Sequence, residues 1–129
     1  MKKILIVDDE KDIVEVLEET LRHSNYAVKS TSNSKNLHQL IKDFKPDLVL
    51  LDFLLADENG GEICFDLKKN KATAFLPVVL VSAFSNLAEM QVIYRCDAFL
   101  PKPFDFKTLI KTIQNCITGA NSWKLHMNY

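Results

Sequence analysis

ILIVDDEKDIVEVLEETLRH, residues 4–23, joins two rhythms with acid at the joint. Residues 4–7 are an unbroken apolar run, and Asp8 and Asp9 follow at once. From residue 11 the apolar positions change period. Ile13, Val16, Leu17, Thr20 and Leu21 recur at helical spacing, which predicts a helix over 11–23. A short continuous apolar run suits a strand covered on both faces, as in a parallel sheet. The unit therefore reads as strand, acidic turn, helix.

Working outward, the same unit recurs. Apolar runs lie at 48–51, 78–81 and 98–100, with a weaker one at 26–30. Helical patterns lie between and after them. Residues 35–44 carry Leu37, Leu40, Ile41 and Phe44, with Ser34 placed to cap the start and Pro46 to end it. Residues 62–69 carry Ile63 and Leu67, and 86–95 carry Leu87, Met90 and Ile93. Residues 105–118 carry Leu109, Ile113, Cys116 and Ile117, with Gly119 placed as a C-cap. Strand and helix alternate through five units, which implies right-handed crossovers and a parallel sheet. The predicted architecture is a three-layer α/β/α sandwich with the flavodoxin-like strand order 2-1-3-4-5. Pro101 agrees, because a proline is tolerated on an edge strand.

Composition narrows the function classes. At 129 residues the chain is one domain; residues 1–119 hold it and 120–129 form a short C-terminal tail. Sixteen basic against seventeen acidic residues give a net charge of −1, without the basic excess of a nucleic-acid binder. The longest apolar stretch, 48–56, is interrupted by Asp52 and is far short of the roughly 20 residues of a membrane span. The opening lacks the apolar region of a signal peptide, so a cytoplasmic protein is expected. Cys64, Cys96 and Cys116 form no CxxC and read as buried free thiols.

The polar residues at the ends of the runs carry the chemistry. Asp8 and Asp9 follow the first run, Asp52 the third, Ser82 the fourth, and Lys102 lies just past the fifth. In an open α/β sheet, ligands bind outside the carboxyl ends of the strands, where strand order reverses. In the order 2-1-3-4-5 this brings Asp8, Asp9 and Asp52 into one crevice flanked by Ser82 and Lys102. At ~5 Å and an effective dielectric of ~20, each pair of carboxylates repels by about 3 kcal/mol, so the cluster calls for a cation. Oxygen ligands with room for water suit Mg²⁺. Carboxylates, a cation, a lysine and a hydroxyl together suit a phosphoryl group, with Asp52 as nucleophile and acceptor.

ILIVDDE (4–10), LVLLDFLLADENG (48–60), PVVLVSA (77–83) and FLPKPF (99–104) together resemble the receiver domain of two-component response regulators. The resemblance covers residues 1 to about 119. It implies that Asp52 is the phospho-acceptor, that Asp9 is a direct Mg²⁺ ligand and that Asp8 acts through water. The backbone carbonyl of Leu54 completes the protein's share of the metal shell. Ser82 becomes the switch hydroxyl, Lys102 the partner of the phosphoryl oxygens, and Phe99 the aromatic switch on the face of the fourth helix, fifth strand and fifth helix. The Lys102–Pro103 bond is expected to be cis. Four positions depart from the usual pattern: Ala56 stands where proline is common, Arg95–Cys96 where Gly-Ala is common, and Leu54 where a polar or longer side chain is common.

The resemblance implies a phosphorylation switch rather than an enzyme, and the chain is expected to be either a stand-alone receiver or the receiver piece of a longer gene product. The phosphoryl group comes from a sensor histidine kinase or a histidine phosphotransfer protein. Output goes to a downstream protein through the switch face, without direct nucleic-acid or membrane binding. A homodimer through that face, near Gln91, Arg95 and Phe99, stays open. The alternative is a receiver-like interaction module that works without phosphorylation. A flavin binder is disfavoured because Asp8, Asp9 and Glu10 would repel its phosphate, and an aspartyl phosphatase because Glu10 breaks the DxD pattern. Trp123, Leu125 and Met127 in the tail alternate with polar residues and read as a partly ordered end.

Overall fold

Alternation along five short strands builds this molecule's core. The structure is a computed structural model that describes residues 1–83 and 87–126. The strands are β1 (Lys3–Val7), β2 (Ala27–Thr31), β3 (Leu48–Asp52), β4 (Val78–Ser82) and β5 (Ala98–Pro101). The helices are α1 (Lys11–His23), α2 (Leu37–Phe44), α3 (Gly60–Lys69), α4 (Leu87–Tyr94) and α5 (Phe106–His126). All pairings are parallel and the order is β2-β1-β3-β4-β5, as expected.

Successive strand side chains point to opposite faces, so each apolar run feeds two cores. Ile4, Ile6, Leu48, Leu50, Val79, Val81 and Leu100 pack with Leu17 and Leu21 of α1 and Leu109 and Ile113 of α5. Leu5, Val7, Val49, Leu51, Val78 and Leu80 pack with Leu37, Cys64 and Leu67 of α2 and α3. Burial on both faces is why the runs carry no polar alternation. Register aligns the carboxyl ends: Val7 pairs with Leu51, Asp52 with Val81, and Ser82 with Pro101.

Several helix details differ from expectation. The inward stripe of α1 runs through Val14, not Val16, which is 51% exposed. On α4, Met90 is buried but Ile93 and Val92 face solvent. Ser34 does not cap α2: Asn36 occupies that position, and the Ser34 hydroxyl donates to the Glu58 carboxylate. That contact spans 24 residues, so local spacing does not reveal it. Lys45 takes a left-handed conformation (φ 54°) after α2, and Pro46 prevents its continuation. Gly119 is not a C-cap; α5 passes through it to His126. A glycine inside a helix costs about 1 kcal/mol relative to alanine, too little to end one alone. Residue 86 of the predicted fourth helix, the side chains of Leu87, Trp123 and Leu125, and all of Met127 lie outside the described residues.

Candidate functional site

Asp52 is the last residue of β3 and only 4% exposed. The Phe53 N–H donates to the Val81 carbonyl at 2.9 Å, holding the chain against β4 as it leaves the sheet. The loop then returns at once. The Gly60 N–H donates to the Phe53 carbonyl at 2.7 Å. A Cβ on Gly60 would lie 2.0 Å from the Asp52 carbonyl oxygen, so only glycine permits this approach. Asn59 starts α3 by accepting from the Gly61 and Glu62 N–H groups, and Leu54 and Asn59 form an antiparallel bridge that closes the loop base.

Asp8 leaves β1 on the neighbouring strand and is 6% exposed. Its N–H donates to the Thr31 carbonyl at 3.0 Å, and its Oδ1 accepts from the Glu10 N–H at 2.9 Å. That turn folds Glu10 back over the strand ends. Carboxylate oxygens of Asp8, Glu10 and Asp52 then lie within 4.8 Å of one another. Lys102 Nζ lies 3.3 Å from Asp52 Oδ1. The Lys102 N–H donates to the Ser82 carbonyl at 2.8 Å, which aligns the two residues across β4 and the segment after β5. Ser82 is 2% exposed at the end of β4. The Lys102–Pro103 peptide is cis.

Burial pushes the Asp52 carboxyl above its ordinary pKa; Lys102 pulls it back, the Glu10 charge raises it further, and the Leu54 N–H lowers it. Burial also pushes the Asp8 carboxyl up. The Glu10 N–H opposes that, and the Asp52 charge adds to the rise. Three carboxylates share one lysine. At an effective dielectric of ~20 each carboxylate pair repels by about 3 kcal/mol, so the charge balance is incomplete without a cation. A group of hard carboxylate oxygens this close together fits Mg²⁺.

The structure gathers Asp8, Asp52, Ser82 and Lys102 at one edge, but it does not gather Asp9. Asp9 Oδ2 accepts from the Ala56 N–H at 2.7 Å, across 47 residues, and Asp9 is not in the close group. A proline at 56 would have no such N–H to give. Glu10 is the residue that sequence reasoning missed; its acid type was visible, but the turn that brings it inward was not. Leu54 is 60% exposed above the site. Phe99 is half-buried and packs on the α2/α3 side of the sheet. Arg95 takes φ 59° and lays its guanidinium over the Phe65 ring at 5.3 Å. The left-handed conformation there explains why glycine suits this position.

The family model described as response regulator receiver domain matches residues 4–114. The chain belongs to this family. It is a receiver domain of two-component signalling. The chain is 34% identical over 116 residues to the response regulator ArlR of Staphylococcus saprophyticus, covering 88% of this chain and 51% of that protein. It is 32% identical over 117 residues to the phosphate regulon transcriptional regulatory protein PhoB of Pseudomonas aeruginosa, covering 88% and 50%. This receiver thus spans about half the length of the curated relatives it matches. Among solved structures it resembles the response regulator TrrA of Thermotoga maritima, determined in complex with Mg²⁺–BeF, at 27% identity and a TM-score of 0.78, covering 90% of this chain and 99% of that one. Among the described residues, no helix is long and apolar enough to cross a membrane.

Proposed function

We propose that this receiver takes a phosphoryl group onto Asp52 from the phosphohistidine of a sensor kinase or phosphotransfer protein. The observation that carries the reading is the buried Asp52 carboxylate, 3.3 Å from Lys102 Nζ and crowded by Asp8 and Glu10. An Asp52 oxygen attacks phosphorus, the P–O bond forms, and the P–N bond to the donor imidazole breaks. The imidazole leaves with the bonding pair. Lys102 neutralises phosphoryl oxygens, and Ser82 donates its hydroxyl to one of them. Asp8, Asp9 and Asp52, with the Leu54 carbonyl, would hold Mg²⁺ once Asp9 turns inward. The bound metal supplies charge that offsets the carboxylates and polarises the phosphoryl group. Beyond self-phosphorylation and autodephosphorylation at Asp52 no chemistry is asked of the chain, so it acts as acceptor and switch, not as a turnover enzyme.

The acyl phosphate shifts a two-state equilibrium when Ser82 moves toward it and Phe99 follows. The affected surface includes α4, whose Val92 is 81% and Ile93 58% exposed, beside β5 and α5. Such a face supports a downstream protein partner, and a second copy of the chain is the other occupant it suits. Residues 1–119 form the switching unit, and α5 continues from it into the last ten residues.

Beryllofluoride, a phosphoryl analogue, tests this reading. Fluorine NMR of the chain with beryllium fluoride is expected to show a bound signal that requires Mg²⁺ and vanishes in Asp52→Asn. A bound signal that persists in Asp52→Asn, or none in the wild type, would overturn it.

A further inference from the structure

We propose that the Ala56 main-chain amide is a latch that holds Asp9 off the cation site, so that metal loading is coupled to movement of the loop 53–59. The proposal rests on the reading above, in which Asp9 ligates Mg²⁺, and concerns how that same site is regulated.

Asp9 lies between Asp8 and Glu10 in sequence, yet only its two neighbours reach the group that closes with Asp52. Its Oδ2 is engaged by the Ala56 N–H at 2.7 Å, the distance of a charge-assisted hydrogen bond. The turn itself is secured separately, because Asp8 Oδ1 accepts from the Glu10 N–H. The Asp9–Ala56 bond is therefore not needed to fold the turn; it ties the turn to the loop after the phospho-acceptor. The base of that loop is fixed. Leu54 bridges Asn59, the Leu55 N–H donates to the Glu58 carbonyl at 3.2 Å, and the Glu58 carboxylate binds Ser34 of the β2–α2 connection. Ala56 sits at the exposed tip of this closed loop.

For Asp9 to join the other carboxylates, its bond to Ala56 breaks and releases the tip of the loop, so loading is felt at residue 56. Glu10 meanwhile keeps a third carboxylate at the site while Asp9 is held away, so the carboxylate group stays negative and attracts the ion before Asp9 arrives.

The test is a Mg²⁺ titration of the full chain followed by backbone amide NMR. The Ala56 amide resonance is expected to move with the same midpoint as those of Asp8 and Asp52. Ala56→Pro, which lacks the N–H, is expected to bind Mg²⁺ about tenfold more tightly, the scale of one charged hydrogen bond lost. Where proline strains the loop, a lactic-acid residue at position 56, an ester lacking only the N–H, makes the same measurement. An Ala56 amide that stays still while Asp8 and Asp52 respond would overturn the latch alone. Unchanged Mg²⁺ affinity in the N–H-free chain would do the same. No response at Asp8 or Asp52 in the wild type would overturn the metal reading along with it.

Discussion

Strand β3 has Asp47 just before it and Asp52 at its end; β5 has Asp97 just before it and Lys102 just after it. At the amino edge the two aspartates repeat one motif. Asp47 donates its N–H to the Lys3 carbonyl at 2.7 Å, and its Oδ2 accepts the Lys3 N–H at 2.8 Å. Asp97 does the same with Val78, at 2.9 and 2.7 Å. Each carboxylate satisfies the first N–H of the neighbouring parallel strand, and Lys68 adds its ammonium to Asp97. At the carboxyl edge the same residue type is crowded by its own charge. Asp8 and Asp52 are buried beside Glu10 with one lysine among them. One edge is settled by the chain's own groups; the other is left wanting a cation. That contrast, rather than the presence of aspartate, distinguishes the two ends of the sheet.

Removing a carboxylate should have opposite signs at the two edges. The largest effect is expected from Asp97→Ala, which strips Lys68 and the Val78 N–H of a partner together. Lys68 is 9% exposed, so the loss should be about 3 kcal/mol by urea denaturation. Asp8→Asn keeps an acceptor for the Glu10 N–H while removing one repelling charge. Without Mg²⁺ it is expected to stabilise by about 1–2 kcal/mol, and the stabilisation that saturating Mg²⁺ gives the wild type should shrink. Destabilisation by Asp8→Asn in metal-free buffer would erase the distinction between the edges. Asp47→Ala removes one hydrogen bond to the Lys3 N–H and should cost about 1 kcal/mol in the same assay.

The buried thiols, which lie near Asp97 and Lys68 of the amino edge, supply a separate pH-dependent prediction. Burial pushes the Cys64 thiol up to about 12 and Cys96 up to about 11, against an ordinary 9.0. The folded chain therefore holds these protons more tightly than the unfolded one. Their contribution to stability is fully present below about pH 9 and is lost as pH rises toward the folded values, by at most about 1.4 kcal/mol per pH unit per thiol. A pH series of denaturant melts should show this decline, and it should be reduced in Cys64→Ala when each melt is referenced to its own value at pH 7.

The sheet was legible because its signals are local. Each buried run is continuous, and Asp8, Asp52, Ser82 and Lys102 sit at fixed offsets from the runs, so strand order alone brings them to one edge. What was not legible depends on partners distant in sequence. Asp9 is turned by an N–H 47 residues away, and Ser34 by a carboxylate 24 away. Glu10 enters the site through a turn in which the Asp8 carboxylate accepts its N–H. The stripe on α1 differs from expectation at one position, Val14 in place of Val16, because the two satisfy similar spacings and only the packing partners decide between them. The end of α5 was misread because Gly119 weakens a helix without stopping it.

Intact-protein mass after incubation with acetyl phosphate tests the central claim most directly. The carboxyl edge predicts one added phosphoryl group that requires both Mg²⁺ and Asp52, with none in Asp52→Asn. No addition to a folded, Mg²⁺-saturated chain, or addition that survives in Asp52→Asn, would contradict it.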